Sequence, residues 1–169
     1  MYTKEDIMKM NCWIALVVVA ALGFAPATFA QGPPPYGAPI SLDDAKKIAA
    51  AAFAEAKKNN WVPVVVVVTD WSGSPVYLER MDGTLYAGVD VAIKKARSAA
   101  AYRRSTKDFA DLLAQGGLGN RFLILPHAMP VEGGLPIMID GKIVGAIGVS
   151  GVTAAQEGQI CAAGLVGLK

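Results

Sequence analysis

The sequence predicts an α/β chain of the α+β kind, a mainly antiparallel sheet of about five strands with helices packed against it. Three observations carry this expectation. Residues 64–68 are five consecutive valines, whose β-branching suits a pleated surface and disfavours helix. Short turns join β-prone segments, among them Asp140-Gly141, a pair that favours a type I′ hairpin. Apolar residues recur at three- and four-residue spacing in the stretches that begin near Leu42 and Val89, which draws helices with one apolar stripe. The resulting order is α-β-β-α-α-β-β-β-α, and hairpins rather than crossovers dominate it.

The elements follow in chain order. Ser41 has a hydroxyl placed to cap a helix, and Asp44 stands three residues on to return the bond. Leu42, Ala45, Ile48, Ala49, Ala52, Phe53 and Ala56 form the stripe of that helix. The valine run lacks alternation, so it predicts a central strand covered on both faces. Asp70 to Ser74 is turn chemistry, and residues 75–81 read as the paired strand. Residues 89–105 read as a helix with Val89, Ile93, Ala96 and Ala100 on one side; Lys94, Lys95, Arg97, Arg103 and Arg104 lie toward the others. Residues 107–115 read as a short helix, 116–120 as a flexible loop and 122–125 as a strand. Residues 135–139 and 142–149 are the strands about Asp140-Gly141, and Thr153 with Gln156 has capping-box spacing before a last helix.

The first thirty residues read as a secretory signal peptide. Residues 13–25 carry no charge and are too few to span a bilayer, which takes roughly 20 apolar residues. Lys4 and Lys9 precede the run, and Ala27-Thr28-Phe29-Ala30 supplies small residues for a cut after Ala30, with Ala27 as the alternative site. Glu5 and Asp6 are unusual in such a flank and suggest a start at Met8 or Met10. The other reading is a buried or anchoring helix. Residues 31–40 contain four prolines and read as an extended tether, leaving 41–169 as the folded domain. The expected location is periplasmic or secreted, with no membrane span after cleavage.

Composition narrows the function classes. About half the chain is apolar (53%) and 18% is charged, which excludes a disordered solvating chain. Sixteen Lys+Arg against fourteen Asp+Glu, with the basic residues in short clusters, argue against a nucleic-acid partner. Cys12 falls in the leader, so the exported form has one cysteine, Cys161, and reads as a packed core without disulfides. His127 is the one histidine, which excludes a His-rich zinc site. Gly148-Val149-Ser150-Gly151 is not a nucleophile elbow, and no Walker motif occurs. Gly145, Gly148 and Gly151 lack dinucleotide-binding spacing and read as close backbone contacts. A neutral imidazole and a thioether can each ligate haem iron, so His127 and Met129 are candidate ligands in a Gly-flanked loop. Either can equally be an ordinary loop or core residue. Arg103 and Arg104 are candidates to grip carboxylates such as haem propionates, because a guanidinium fork makes two bonds at once. Arg80 with the backbone of Gly133 and Gly134 is a candidate cradle for a small organic acid.

Several of these segments together resemble the GlcG/HbpS family, also called the haem-degrading or DUF336 family. They are Val65-Val66-Val67-Val68-Thr69-Asp70 followed by Gly73; Glu79-Arg80-Met81-Asp82-Gly83; Ala92-Ile93-Lys94-Lys95-Ala96-Arg97-Ser98-Ala99-Ala100; Arg104-Ser105-Thr106; Gly133-Gly134-Leu135-Pro136-Ile137; and Asp140-Gly141 running to Ser150-Gly151. The resemblance implies a profilin-like α/β/α sandwich and a homo-oligomer, and some secreted relatives bind haem or take part in haem and iron sensing. Haem-binding relatives can use a histidine near the first helix; residues 41–60 contain none, which leaves His127 as the axial candidate. The family usually shows two acidic residues after Ser150-Gly151, and Ala155-Gln156-Glu157 offers one. The expected function is therefore an exported haem-binding protein. A metal-free module for small organic acids, and a small enzyme that degrades haem or serves a catabolic operon, are the alternatives.

Overall fold

The computed structural model describes residues 32–168. Residues 1–31, with the expected signal peptide among them, and Lys169 lie outside the described residues. Within them run α1 (Leu42–Lys58), β1 (Val65–Asp70), β2 (Pro75–Arg80), α2 (Gly88–Tyr102), α3 (Thr106–Ala114), a 3-10 helix (Gly117–Leu123), β3 (Gly134–Ile139), β4 (Lys142–Ser150) and α4 (Ala154–Val166). The sheet order is β2-β1-β4-β3, and every neighbouring pair is antiparallel.

The valine run shows why the sheet needs cover on both faces. Val64, Val66 and Val68 pack with Ile48 and Ala52 of α1 and Ile160 of α4. Val65 and Val67 point the other way and pack with Ala92 of α2. Successive side chains on a strand alternate faces, so an unbroken apolar run is buried only when helices sit on both sides. The result is the α/β/α sandwich that the resemblance implied.

Helix starts and turns follow their local chemistry. Ser41 Oγ accepts from Asp44 N at 3.1 Å, and Gln156 Oε1 accepts from Thr153 N at 3.2 Å. Asp140 and Gly141 have φ of 49° and 71°, the left-handed pair that a type I′ turn requires. In the β1–β2 turn, Asp70 Oδ1 accepts from the backbone N–H of Ser72 and of Ser74. A Cβ on Gly148 would lie 2.1 Å from the Ala92 carbonyl oxygen, so this glycine lets α2 press directly on β4. Gly145 does the same between strands, against Thr69 O at 2.2 Å.

Two expectations differ from the structure. The sheet has four strands, because residues 122–125 join no ladder. Gly116 and Gly117 have φ of 69° and 56° and turn the chain into the 3-10 helix. Phe122 then anchors it, packing on Phe109 with ring centroids 4.8 Å apart, while Leu123 and Ile124 stay exposed. The proline segment is extended, as expected, but it is docked on β4. The β1–β4 ladder stops at Asp70 and Gly145, and Ile143 bonds instead to Pro35 O and Gly37 N at 2.9 and 2.8 Å. Tyr36 Oη donates to Ala100 O at 3.0 Å, and Ile40 is buried.

Candidate functional site: a cationic groove beside the one histidine

The chain between the 3-10 helix and β3 returns along α2 and is tied to it. Tyr102 Oη donates to Pro126 O at 2.7 Å, and Met129 N donates to Ser98 Oγ at 3.0 Å. Between these ties the backbone turns at His127, which has a φ of 62°. This left-handed conformation costs an L-residue about 1–2 kcal/mol. It presents His127 outward as an exposed residue.

His127, Ala128 and Met129 line a groove of about 380 Å³ together with Lys94 and Arg97 of α2. Lys94 and Arg97 are three residues apart, so they share a helix face. Arg97 Nε donates to Gly73 O at 3.4 Å, which leaves the other guanidinium donors available. Among the described residues, no carboxylate lines the groove. It therefore combines an iron- or proton-binding imidazole, a thioether and two cations suited to anionic groups.

The structure brings His127 and Met129 together and separates the other candidates. Arg103 is the residue after α2, with a φ of 56°, and the chain leaves the helix there. Its Nη1 donates to Pro34 O at 3.1 Å, and its guanidinium lies 5.2 Å from the Tyr36 ring centre. Arg104 lies 5.7 Å from the Phe109 ring centre. Neither arginine is among the residues that line the His127 groove. The cations at that groove are Lys94 and Arg97 instead. Arg80 ends β2 at one sheet edge, and Gly134 begins β3 at the other, about 14 Å apart by strand spacing. Gly133 O accepts from Val149 N and from Cys161 Sγ, and Gly134 N donates to Thr106 Oγ1. The proposed acid cradle of Arg80, Gly133 and Gly134 does not assemble.

One polar cluster was not foreseen. Lys95, expected off the apolar side of its helix, is 1% exposed and forms a buried ion pair with Glu157 of α4. Glu157 Oε1 also accepts from Gly151 N at 2.8 Å and Val152 N at 3.3 Å, and Lys95 Nζ donates to Val149 O at 3.3 Å. Both charges are buried and partnered, so the pair ties α2 to α4. Its signal was present: Ala92, Lys95, Ala96 and Ala99 recur at helical spacing and are all buried. Nearby, burial holds the Cys161 thiol well above its ordinary value, so it stays protonated and inert.

With this geometry established, comparisons with known proteins are informative. The family model described as haem degrading protein HbpS-like matches residues 40–166. Protein GlcG of Escherichia coli K12 is 40% identical over 111 residues, covering 66% of this chain and 81% of GlcG. The crystal structure of a double mutant of Streptomyces reticuli HbpS is 30% identical with a TM-score of 0.70, covering 87% of this chain and 99% of that one. The crystal structure of a PduOC–haem complex is 28% identical with a TM-score of 0.67, covering 76% and 94%. The family match spans the whole sandwich, from the end of the docked proline segment to the last residue of α4, and this chain belongs to the HbpS-like family.

Proposed function

We propose that this protein is an exported haem-binding protein, with its site in the groove between the His127 turn and α2. One observation carries the reading: the one imidazole of the chain is exposed on a turn in the left-handed region and lines a groove together with two cations. Backbone strain at a ligand site persists when the surrounding structure over-determines it, and here two hydrogen bonds to α2 do so. The donor set fits a haem. His127 would supply a neutral nitrogen to iron, Lys94 and Arg97 would hold the propionates, and Met129 would pack against the ring. Leu123 and Ile124, both exposed, precede His127 by four and three residues and add apolar surface. Haem, when bound, would supply a redox-active iron. The groove's volume lies at the small end of ligand sites, roughly 300–1,000 Å³, so it would hold only part of a macrocycle. The haem bound by PduOC supports the reading at the level of the family.

Titration of haem into the purified protein tests it. A saturable Soret shift that His127→Ala abolishes and Lys94→Ala/Arg97→Ala weakens is expected. An unchanged shift in His127→Ala would place the haem elsewhere. Stabilisation by small carboxylates without any haem binding would favour the organic-acid reading, now at Lys94 and Arg97.

Export rests on the leader's charge pattern and small residues. N-terminal sequencing of the protein recovered outside the cytoplasm should begin at Gln31. A homo-oligomer is supported by Leu85 and Tyr86, which are 71% and 96% exposed before α2. Sedimentation of wild type against Leu85→Ser/Tyr86→Ser tests that assembly.

A further inference from the structure

We infer that the 3-10 helix and the residue after it form a surface that docks on anionic lipid, with Leu118, Leu123 and Ile124 entering the headgroup layer beside Arg121. The inference concerns the chain without haem and goes beyond the haem-binding reading. A 3-10 helix has three residues per turn, so residues three apart stand one above the other. Gly119 and Phe122 are buried and take the inner edge. A Cβ on Gly119 would run into the Leu112 carbonyl, so this edge lies directly on α3, and Phe122 packs on Phe109 with ring centroids 4.8 Å apart. The same period puts Leu118, Arg121 and Ile124 on a second edge, which is exposed. Leu118 and Ile124 are 85% and 84% exposed, and Leu123 beside them is 66% exposed. With the inner edge held, these aliphatic side chains stay in water unless something covers them.

Charge decides what the cover is. Residues 112–131 contain no Asp or Glu. The acid just before that stretch, Asp111, is paired with Lys107 at 2.7 Å. The Arg121 guanidinium lies 5.1 Å from the Phe122 ring centre and has no carboxylate partner among the described residues. Lys94 and Arg97 line the groove they share with His127, three residues beyond Ile124. A two-fold contact centred here would bring Arg121 to its own counterpart, with no carboxylate in the stretch to offset it. An anionic lipid surface offsets each cation, at about a fivefold gain in binding per Lys or Arg near it, and takes up the aliphatic side chains in the same step. The attachment is at the surface, since no helix among the described residues is long and apolar enough to cross a membrane.

The test is flotation with lipid vesicles, with no haem added. Wild type and variants are taken in the same exported form, so whatever the leader contributes is common to all. Vesicles of phosphatidylglycerol with phosphatidylethanolamine are compared with vesicles of phosphatidylcholine alone, at low and high salt. The expected result is binding to the anionic vesicles that falls as salt screens the charges, with far less on the neutral ones. Leu118→Ser/Ile124→Ser should weaken that binding at least about tenfold, and Arg121→Gln about fivefold. All three positions are exposed, so urea unfolding of these variants should match wild type. His127→Ala should bind the anionic vesicles as wild type does, so failure of the haem reading leaves this result standing. Absence of vesicle binding, or binding that Leu118→Ser/Ile124→Ser leaves unchanged, would overturn the inference. Self-association in sedimentation that the same two substitutions remove, with no vesicle bound, would overturn it in favour of a second copy.

Discussion

Replacing Glu157 by leucine should destabilise the protein more than any surface substitution. Lys95 and Glu157 are 1% and 3% exposed, and they meet across the end of the sheet from helices on opposite faces. In Glu157→Leu the ammonium keeps only Val149 O, and the N–H groups of Gly151 and Val152 lose their acceptor. Breaking a buried pair by removing one partner costs about 3–5 kcal/mol, because the remaining charge stays buried. For a domain of this size that is a fall in Tm on the order of 10 °C. Urea unfolding followed by tryptophan fluorescence measures it, since Trp61 is half-buried against the core. Lys95→Met/Glu157→Leu removes both charges and should recover part of the loss, short of wild type by the two unpaired N–H groups, about 1–3 kcal/mol each. The coupling between the two sites should therefore exceed about 2 kcal/mol. A single-mutant cost below about 1 kcal/mol, or simple additivity, would refute the view that the pair ties α2 to α4.

Three further outcomes follow. His127→Gly should leave stability unchanged or raise it by up to about 1 kcal/mol, since glycine adopts a φ of 62° without strain, while haem binding is lost; a clear loss in urea unfolding would give His127 a structural role. Gly148→Ala should cost about 2 kcal/mol or more in the same assay, because its Cβ meets the Ala92 carbonyl at 2.1 Å. Burial keeps the Cys161 thiol protonated in the native state, whereas the unfolded chain ionises it above about pH 8.5. Protons are then bound more tightly in the folded state, so stability falls with rising pH by about 1.4 kcal/mol per unit from this group; with Cys12→Ser in both chains, Cys161→Ala should lack that slope.

Much of the fold was legible because local and tertiary preferences agree. The valine run, the Asp140-Gly141 turn and the Ser41 and Thr153 caps each act through neighbours in sequence, and each stands where it was expected. The apparent strand at residues 122–125 failed because β-propensity needs a partner edge, and the glycines before it send the chain away from the sheet. Lys95 was misread because charge outweighed position: its spacing with Ala92 and Ala99 marks the buried stripe, but only a partner on α4, sixty-two residues later, makes burial possible. His127 and Met129 were legible because the histidine is unique and the methionine near it. The cations that share their groove were not, since these depend on which turn of α2 the loop docks against. Ser98 and Tyr102 decide that, through bonds to Met129 N and Pro126 O that no spacing rule encodes.

The central claim is tested most directly by a crystal structure of the haem-loaded protein. Iron bonded to a ring nitrogen of His127 at about 2 Å, with carboxylates near Lys94 and Arg97, is the predicted result. Haem seated instead in the cleft formed by Pro136, Met138, Leu165 and Leu168, with His127 free, would contradict it.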